Sequence, residues 1–515
     1  MNLSVNDSFN LAVQMQRQRR FAEAEGIYRQ ILAQVPNHSI SSINLGTLLH
    51  ETGQYAEAVK LYRTSLALDA SPTELWSNLG NTLNDLEEYD QAAAACRQAL
   101  AINPNVSSAH NNLANALKGK QDLRAAAAHY RRAMELDPNS ALPHNNLGTI
   151  LHVNGDLEGA AQCFQRALEL SPQYPEALSN LGSTLSDLGQ RNEGMEMFGK
   201  ALALRPEYAE AHWNLGLALL VLGELERGWS EYEWRWRVRN LIKPRFEFPR
   251  PRWNGEDLNG RRILLHSEQG FGDAIQFSRY APLVKQRGGR VAIYCPDDLL
   301  RLMRSLNGVE IVVGWSQPLV DFDLHCPIMS LPNVFKTTLS SIPAEIPYLH
   351  PDAQLIQKWR ERIGSGSARK VGLAWAGRAT HTNDRQRSFR LSQLAELAHA
   401  PNVQFFSLQK GEAAAQAKDA PMELTDWTND LTDFADTAAL IANLDLVICA
   451  DTAVAHLAAA IGKPAWVLVP FAPDFRWLLD RPDTPWYPAM RLFRQKRPRD
   501  WKTPITEAAA ALRDL

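Results

Sequence analysis

A spacing of 34 residues repeats through the first half of the chain and constrains its fold more than any other feature. Two columns of small residues recur at this spacing, and the second is followed four positions later by an aromatic residue or cysteine. The first column is Ala12, Gly46, Gly80, Ala114, Gly148, Gly182 and Gly216. The later pairs are Ala24 and Tyr28, Ala58 and Tyr62, Ala92 and Cys96, Ala126 and Tyr130, Ala160 and Phe164, Gly194 and Phe198, and Gly228 and Tyr232. The pattern predicts stacked helix pairs that pack closely at the small residues.

Prolines mark the end of most units, because proline cannot continue the hydrogen-bond ladder of a helix. They are Pro36, Pro104, Pro138, Pro172 and Pro206, with Ala70 in the same place of the second unit. Six residues match the W-x-x-L-G opening and the second half of the tetratricopeptide repeat: Trp76, Leu79, Gly80, Ala160, Phe164 and Pro172. The first part of the chain therefore resembles this family. We expect seven repeats over residues 1–240, folded as an α-solenoid.

An asparagine precedes each residue of the first small column by two positions. The column is Asn10, Asn44, Asn78, Asn112, Asn146, Asn180 and Asn214. Two positions are about 200° around a helix, so we expect these side chains to point away from the helix-pair contact and to have no structural role. An amide both donates and accepts hydrogen bonds and can hold an extended peptide backbone. The column resembles the asparagine ladder of the O-linked N-acetylglucosamine transferase family, which implies acceptor binding; duplication with harmless solvation is the alternative.

The second half alternates apolar, β-rich runs with helical patterns, which predicts parallel sheets with crossover helices. Expected strands are 263–266, 291–294, 311–313, 371–375, 403–408, 446–449 and 465–469. A connector over 241–262 ends an aromatic stretch that begins at Trp234, and we expect it to be packed because this stretch offers Trp234, Trp236, Phe246 and Trp253 as anchors. A break near the glycine- and serine-rich run 364–367 predicts two Rossmann-like lobes, 263–345 and 346–515. Ligands of such sheets bind at the carboxyl ends of the strands.

Three loops at those strand ends carry candidate chemistry. Residues 267–273 contain Gly270, Gly272 and Asp273, and an isolated Gly-Asp is more often an ordinary helix cap. Residues 376–390 carry four arginines and a histidine, which could clamp a diphosphate or form a solvated basic loop. Residues 450–457 begin a helix whose exposed amides suit a phosphate, although Asp451 could be only a cap.

These segments resemble the ADP-heptose heptosyltransferase family of inverting GT-B enzymes. Gly272-Asp273 matches its Gly-Asp loop, and the run 451–457, Asp-Thr-Ala-Val-Ala-His-Leu, matches its donor loop. The run Asp474-Phe475-Arg476-Trp477 is similar to the tail of members fused to tetratricopeptide repeats. The second loop departs from the family, because arginines stand where a donor-side lysine is usual.

The resemblance implies a role for each candidate residue. Asp273 would be the general base, with His266 and Glu268 in reserve. Donor-binding residues would be Arg385, Arg387, Ser388, Asp451, Thr452, Ala453 and His456. A nucleotide sugar would then be a substrate, with no cofactor and no metal ion. We expect a glycosyltransferase whose repeats hold a protein acceptor; a glycan or lipopolysaccharide-type acceptor and a non-catalytic scaffold are the alternatives.

Composition excludes several other classes. Five cysteines lie without CxxC spacing, so we expect neither a zinc site nor a disulfide framework, and a reducing cytoplasm fits best. The net charge is −3 and dense basic runs with aromatics are lacking, which argues against a nucleic-acid partner. The longest apolar zone, 440–471, contains Asp445, Asp451, His456 and Lys463, so we expect buried strands and helices instead of a membrane span.

Overall fold

The structure is a computed structural model that describes residues 4–239, 241–242, 248–268, 270–379 and 383–515. The chain divides into two compact units, Met1–Thr184 and Leu185–Leu515. The repeats after residue 184 therefore belong to the same unit as the α/β lobes. The domain boundaries that we placed at residues 240, 262 and 345 stay predictions.

Helices in antiparallel pairs follow one another through the repeat region, as the 34-residue spacing predicts. They are α1 (Val5–Arg17), α2 (Phe21–Gln34), α3 (Ser39–Glu51), α4 (Tyr55–Leu68), α5 (Thr73–Asp85), α6 (Tyr89–Ile102), α7 (Ser107–Gly119), α8 (Leu123–Leu136), α9 (Ala141–Val153), α10 (Leu157–Leu170), α11 (Pro175–Asp187), α12 (Arg191–Leu204), α13 (Ala209–Val221) and α14 (Leu225–Tyr232). The expected α-solenoid is confirmed.

The small residues pack against the aromatic column within each helix pair. A Cβ on Gly46 would lie 2.2 Å from Cε1 of Tyr62, and one on Gly148 would lie 2.8 Å from Cε1 of Phe164. In these two repeats the aromatic ring occupies the space that a Cβ would fill, so the small residue allows the two helices to approach closely. Proline is not required to end the second helix, because α4 ends at Leu68 although Ala70 follows it.

The α/β part begins after a 3-10 turn at Glu233–Trp236. Its strands are β1 (Arg262–His266), β2 (Arg290–Cys295), β3 (Val309–Gly314), β4 (Leu324–Pro327), β5 (Arg369–Ala374), β6 (Val403–Ser407), β7 (Leu424–Thr425), β8 (Leu446–Ala450), β9 (Ala465–Val469) and β10 (Met490–Arg494). Its helices are α15 (Phe271–Phe277), α16 (Ala281–Gln286), α17 (Leu300–Met303), α18 (Leu331–Val334), α19 (Ala353–Ile363), α20 (Asp384–Arg387), α21 (Phe434–Ala442), α22 (Ala453–Ala460) and α23 (Lys502–Arg513).

Two parallel sheets form the lobes. The first has the order β3-β2-β1-β4, and the second has the order β7-β6-β5-β8-β9-β10. The second sheet has the doubly wound strand order 3-2-1-4-5-6. Successive strands are added on one side of β5 up to β7 and then on its other side, beginning with β8. The two Rossmann-like lobes of a GT-B fold are confirmed.

Three strands were missed from the sequence, each for a visible reason. β4 is four residues long and includes His325 and Pro327. β7 has two residues, and β10 is an edge strand whose Arg491 is exposed. Strands this short, or interrupted by an exposed arginine, present no continuous apolar run that a sequence pattern could show.

The aromatic residues around the connector are packed where the structure describes them. Trp253 is fully buried, and its Nε1 donates to the carbonyl of Glu256 over 2.7 Å. Trp234 stacks on His212 with 3.9 Å between ring centroids. Phe246 lies outside the described residues. The connector is therefore a structured element in its described part.

The last repeat packs directly against the α/β lobes within the second unit. The ring of Trp229, in α14, meets the rings of Phe277, Phe475 and Trp486 at centroid distances of 5.7, 5.2 and 6.5 Å. All four side chains are buried. In the described part of the chain, every helix is too short or too polar to cross a membrane.

Candidate functional site

The candidate site lies at the carboxyl ends of strands in both sheets. The loop after β1 leads into α15, whose first turn carries Asp273, and the loop after β8 carries Asp451 and leads into α22. The loops after β5 and β9 come from the neighbours of β8 in the same sheet. Open α/β sheets bind ligands at such switch points in strand order.

Asp273 occupies the first turn of α15, and both of its carboxylate oxygens have partners. Oδ2 accepts a hydrogen bond from the backbone N–H of Gly270 over 3.1 Å. Oδ1 accepts from Nη2 of Arg476, which lies in the loop after β9. The side chain of Asp273 is 19% exposed, so an acceptor can still reach it.

Arg476 joins the two lobes at this point. Its Nη1 donates to Oδ1 of Asp474 over 2.8 Å, and its Nε donates to Gln276 in α15. The ring of Phe475 lies 4.4 Å from the guanidinium carbon. Partners from both lobes thus hold the arginine in place.

Asp451 is buried at the start of α22 in a mixed electrostatic environment. Burial and, to a smaller extent, the negative charge of Asp474 raise the pKa of Asp451 to about 6, although the guanidinium of Arg387 acts in the opposite direction. Near neutral pH the carboxyl is therefore largely ionised but readily protonated. When ionised, such a carboxyl accepts a hydrogen bond from a ligand hydroxyl, and when protonated it can also donate one.

His456 is a buried, neutral side chain below the site. Its Nδ1 lies 3.1 Å from the hydroxyl of Tyr487, and its ring stacks on Trp477 with 5.5 Å between centroids. Burial, reinforced by the positive charge of Arg476, holds the pKa of His456 well below its usual value. The imidazole therefore packs α22 against Trp477 and Tyr487 and carries no charge.

The second loop is ordered around Ser388 in its described part. Ser388 Oγ accepts from the N–H of Gly377 over 2.9 Å and donates to Oδ1 of Asp384 over 2.8 Å. Arg387 Nε lies 3.6 Å from the same carboxylate and is buried without a hydrogen bond among the described residues. Arg385 is exposed. His381, which we counted with the loop, lies outside the described residues.

The start of α22 offers further groups without partners. Thr452 is the N-cap residue, yet its Oγ1 is buried and has no hydrogen bond among the described residues. Ala453 begins the helix, where backbone N–H groups lack intrahelical acceptors. An anionic ligand at this helix start could accept from both.

The contacts of Glu268 disagree with its role as a reserve base. Its two oxygens accept from Nε and Nη2 of Arg235 over 3.0 and 3.1 Å, and its side chain is 1% exposed. Burial raises the pKa of Glu268 while Arg235 opposes the rise. Since no acceptor can reach this carboxylate, Glu268 anchors the loop to the 3-10 turn that follows the last repeat.

His266 also lies in a closed environment. Its Nε2 is 3.1 Å from Nδ1 of His325, and the ring of Phe248 covers it at a centroid distance of 4.3 Å. Burial and the neighbouring His325 hold the pKa of His266 well below its usual value. A neutral, 6% exposed imidazole is poorly placed to meet an acceptor.

The asparagine column is not free of structural contacts, which corrects our expectation. Asn112 is buried, and its Nδ2 donates to the carbonyl of Ser77 over 3.1 Å. Asn146 donates to Asn111 Oδ1 over 3.1 Å. The pattern continues in Asn180, which donates to Asn145 Oδ1 over 2.9 Å, and Asn44 donates to Tyr28.

These amides therefore link one repeat to the preceding one. The 200° offset separates these side chains from the partner helix within a repeat, but the opposite face of the helix meets the neighbouring repeat. Asn10 is exposed, and Asn78 and Asn214 are partly buried. Acceptor binding by this column stays a prediction, as do the roles assigned to the other site residues.

Two charged residues of the site were not predicted from the sequence. Arg476 and Asp474 belong to the run that we noted only for its resemblance to the tail of related chains. Their position after β9, beside the donor loop after β8, is a signal that could have found them. Loops after adjacent parallel strands share one edge of the sheet.

Known protein families match both parts of the chain. Tetratricopeptide repeat families match residues 4–71, 73–106, 111–175 and 180–232. Glycosyltransferase family 9 (heptosyltransferase) matches residues 390–468. That range contains Asp451, Thr452 and His456, whereas Asp273 and Arg476 lie outside it.

Protein FlbA from Caulobacter vibrioides is 29% identical over 320 residues, which are 56% of this chain and 52% of FlbA. The chain thus spans about half the length of this curated relative. Among solved structures, MamA from Desulfovibrio magneticus RS-1 is 22% identical, with 33% of this chain and 97% of MamA covered and a TM-score of 0.30. A thermophilic tetratricopeptide protein from Thermus thermophilus is 23% identical, with 35% and 97% covered and a TM-score of 0.32. The chain thus combines tetratricopeptide repeats with a segment that matches glycosyltransferase family 9 (heptosyltransferase).

Proposed function

We propose that the chain is an inverting glycosyltransferase that moves a sugar from a nucleotide-sugar donor to a protein acceptor. One observation carries this proposal: Asp273 of the first lobe meets Arg476 of the second, beside Asp451 and the start of α22. A candidate base and candidate phosphate-binding groups therefore share one site between the two sheets.

Asp273 takes the proton of the acceptor hydroxyl in the proposed reaction. The hydroxyl oxygen forms a bond to the anomeric carbon of the sugar. In the same displacement, the bond between that carbon and the diphosphate oxygen breaks, and its electron pair leaves with the nucleoside diphosphate. A single displacement inverts the configuration, and a positioned general base contributes about 10²–10⁴-fold to the rate.

Groups that lack partners support the assignment of the donor side. Arg387 Nε and Thr452 Oγ1 are buried without hydrogen bonds in the described part of the chain, and a buried polar atom normally has one. Donor phosphates would satisfy them together with the N–H groups at the start of α22. Asp451 would orient a sugar hydroxyl, while Arg385 and Ser388 would border the same ligand.

We expect the reaction to need no metal ion. Arg387 and Arg476 bring two permanent positive charges to the site, and α22 adds the positive end of its dipole. These groups would stabilise the charge of the departing diphosphate. Transfer should therefore persist in excess chelator, and loss of activity that Mg²⁺ or Mn²⁺ restores would contradict this part of the proposal.

The repeats would supply the acceptor site. Tetratricopeptide arrays form extended surfaces that bind partners, and the last repeat here packs on the α/β lobes through Trp229. A polypeptide bound along this repeat would lie on the same unit as the reacting groups. We therefore favour a protein acceptor, with the asparagine column contributing to its backbone contacts.

Nucleotide-sugar binding is the first test. We expect one member of a panel of ADP, UDP, GDP and CMP sugars to raise the melting temperature, because a ligand that binds only the folded state stabilises it. Asp273→Asn should show at least this shift and lose transfer to protein. Glu268→Gln is unsuitable as a control, since it breaks a buried ion pair, so Glu310→Gln at an exposed pair serves instead. No shift with any sugar, or full turnover in Asp273→Asn, would overturn the proposal.

A further inference from the structure

Arg476 holds the carboxylate that we assign as the base. A carboxylate paired with a guanidinium is a weaker base than a free one, because protonation must give up the ion pair. In this structure Oδ1 of Asp273 is occupied by Nη2 of Arg476, and Oδ2 by the N–H of Gly270. The base is therefore bound to a cation before any substrate arrives.

The same guanidinium lies beside the donor loop. Arg476 lowers the pKa of Asp451, at the start of α22, against the larger effect of burial. It is also 8% exposed and has Asp474 as a second carboxylate partner. If it left Asp273, it would keep a charge-balancing contact, so one of its partners can be exchanged at low cost.

A diphosphate is a strong competitor for such a group. It presents several anionic oxygens, and the planar fork of arginine binds phosphate through two parallel hydrogen bonds. Asp273 offers Arg476 a single oxygen, since its other oxygen accepts from Gly270. The diphosphate would therefore replace the carboxylate of Asp273 as the partner of Arg476.

We propose that the donor diphosphate competes with Asp273 for Arg476, so that donor binding frees the carboxylate to take the acceptor proton. This inference rests on the proposed function. It makes activation of the base depend on the donor, and the acceptor hydroxyl is not activated before a sugar is in place.

A double-mutant cycle on nucleoside diphosphate binding tests the competition without measuring turnover. The probes are ADP, UDP and GDP, titrated by calorimetry into the full chain and its variants. Asp273→Asn removes the competing charge and should tighten binding of the best probe about tenfold. Arg476→Gln should weaken binding at least tenfold, and adding Asp273→Asn to it should then give no gain, because the two sites are coupled.

Two results would overturn the inference while leaving the donor site intact. One is binding that Asp273→Asn does not change. The other is an equal gain from Asp273→Asn with and without Arg476, which would show simple charge repulsion between Asp273 and the anion. Failure of all three probes to bind both the unchanged chain and Asp273→Asn would instead overturn the proposed donor site as well.

Arg476→Lys provides a second background if Arg476→Gln unfolds. Lysine keeps the charge but cannot bind two partners through a fork, so the gain from Asp273→Asn should shrink there to about threefold or less. An undiminished tenfold gain would contradict the inference. Glu310→Gln, which breaks the exposed pair with Arg290 on the edge of the first sheet, should leave all affinities unchanged.

Discussion

Gly272 lies directly against the imidazole ring of His456. A Cβ at this position would be 2.9 Å from Cδ2 of His456 and 3.7 Å from Cα of Ala453. The contact brings the start of α15 onto α22 and so sets the distance between Asp273 and the donor loop. Glycine is required here by lack of space.

Gly272→Ala should therefore disturb both stability and activity. Forcing a methyl group into a packed contact costs about 1–3 kcal/mol, and the ring it meets is held by Tyr487. We expect a lower melting temperature and strongly reduced transfer. Gly199→Ala in α12 is the matched control, because a Cβ there meets nothing within 4 Å, and it should gain about 0.5–1 kcal/mol. Equal behaviour of the two variants would contradict the packing argument.

The buried pair Arg235–Glu268 should respond as a unit. Removing one partner leaves an uncompensated charge in the interior and costs about 3–5 kcal/mol. We expect Arg235→Met and Glu268→Met each to lower the free energy of unfolding by such an amount. The free energy of unfolding of the double variant, measured by denaturant unfolding, should fall by clearly less than the sum of the two single-variant decreases.

The exposed pair Arg290–Glu310 supplies the control for this cycle. Water screens the attraction within an exposed ion pair, so Glu310→Gln should change stability little. Additive losses at Arg235 and Glu268 would show that the two side chains do not act together.

Asn112→Ala should destabilise the repeats, in contrast to our expectation from the sequence that the asparagine column has no structural role. The substitution deletes the hydrogen bond from Asn112 to the carbonyl of Ser77, and the net contribution of one such bond is about 0.5–1.5 kcal/mol. Asn10→Ala changes an exposed member of the same column and should stay within about 0.5 kcal/mol of the unchanged chain. Thermal unfolding of both variants provides the comparison, and a neutral Asn112→Ala would show that the contact is dispensable.

Asp451 should make the protein less stable as the pH rises. Its pKa is raised to about 6 in the folded state, mainly by burial, so between about pH 4 and 6 the folded chain keeps a proton that the unfolded chain loses. The penalty is absent below this window and complete above it. Asp451→Asn should therefore gain stability relative to the unchanged chain by up to about 3 kcal/mol at pH 7, and little at pH 4.

Denaturant unfolding at several pH values between 4 and 7 measures this difference. Asp474→Asn should reduce it, because the charge of Asp474 contributes to the raised pKa of Asp451. A difference between Asp451→Asn and the unchanged chain that does not vary with pH would contradict the assignment.

The amino-acid sequence by itself determined the repeat architecture and the strand pattern of the lobes. The 34-residue period, the small residues and the facing aromatic residues act between neighbouring helices, so spacing alone identifies contacts such as Gly46 with Tyr62. Buried central strands such as β8 show continuous apolar runs. These signals are local, and local signals are readable from sequence.

Tertiary structure decided how the site is assembled. Asp273 and Arg476 are 203 residues apart in the chain, and no spacing rule joins them. The asparagine column showed its period in the sequence but not its partners, because the neighbouring repeat supplies them. Likewise Glu268 lies in a loop that reads as catalytic, and only packing against Arg235 shows that it is a buried anchor. Partner choice between distant segments depends on the relative placement of sheets and helices, which is a property of the whole fold.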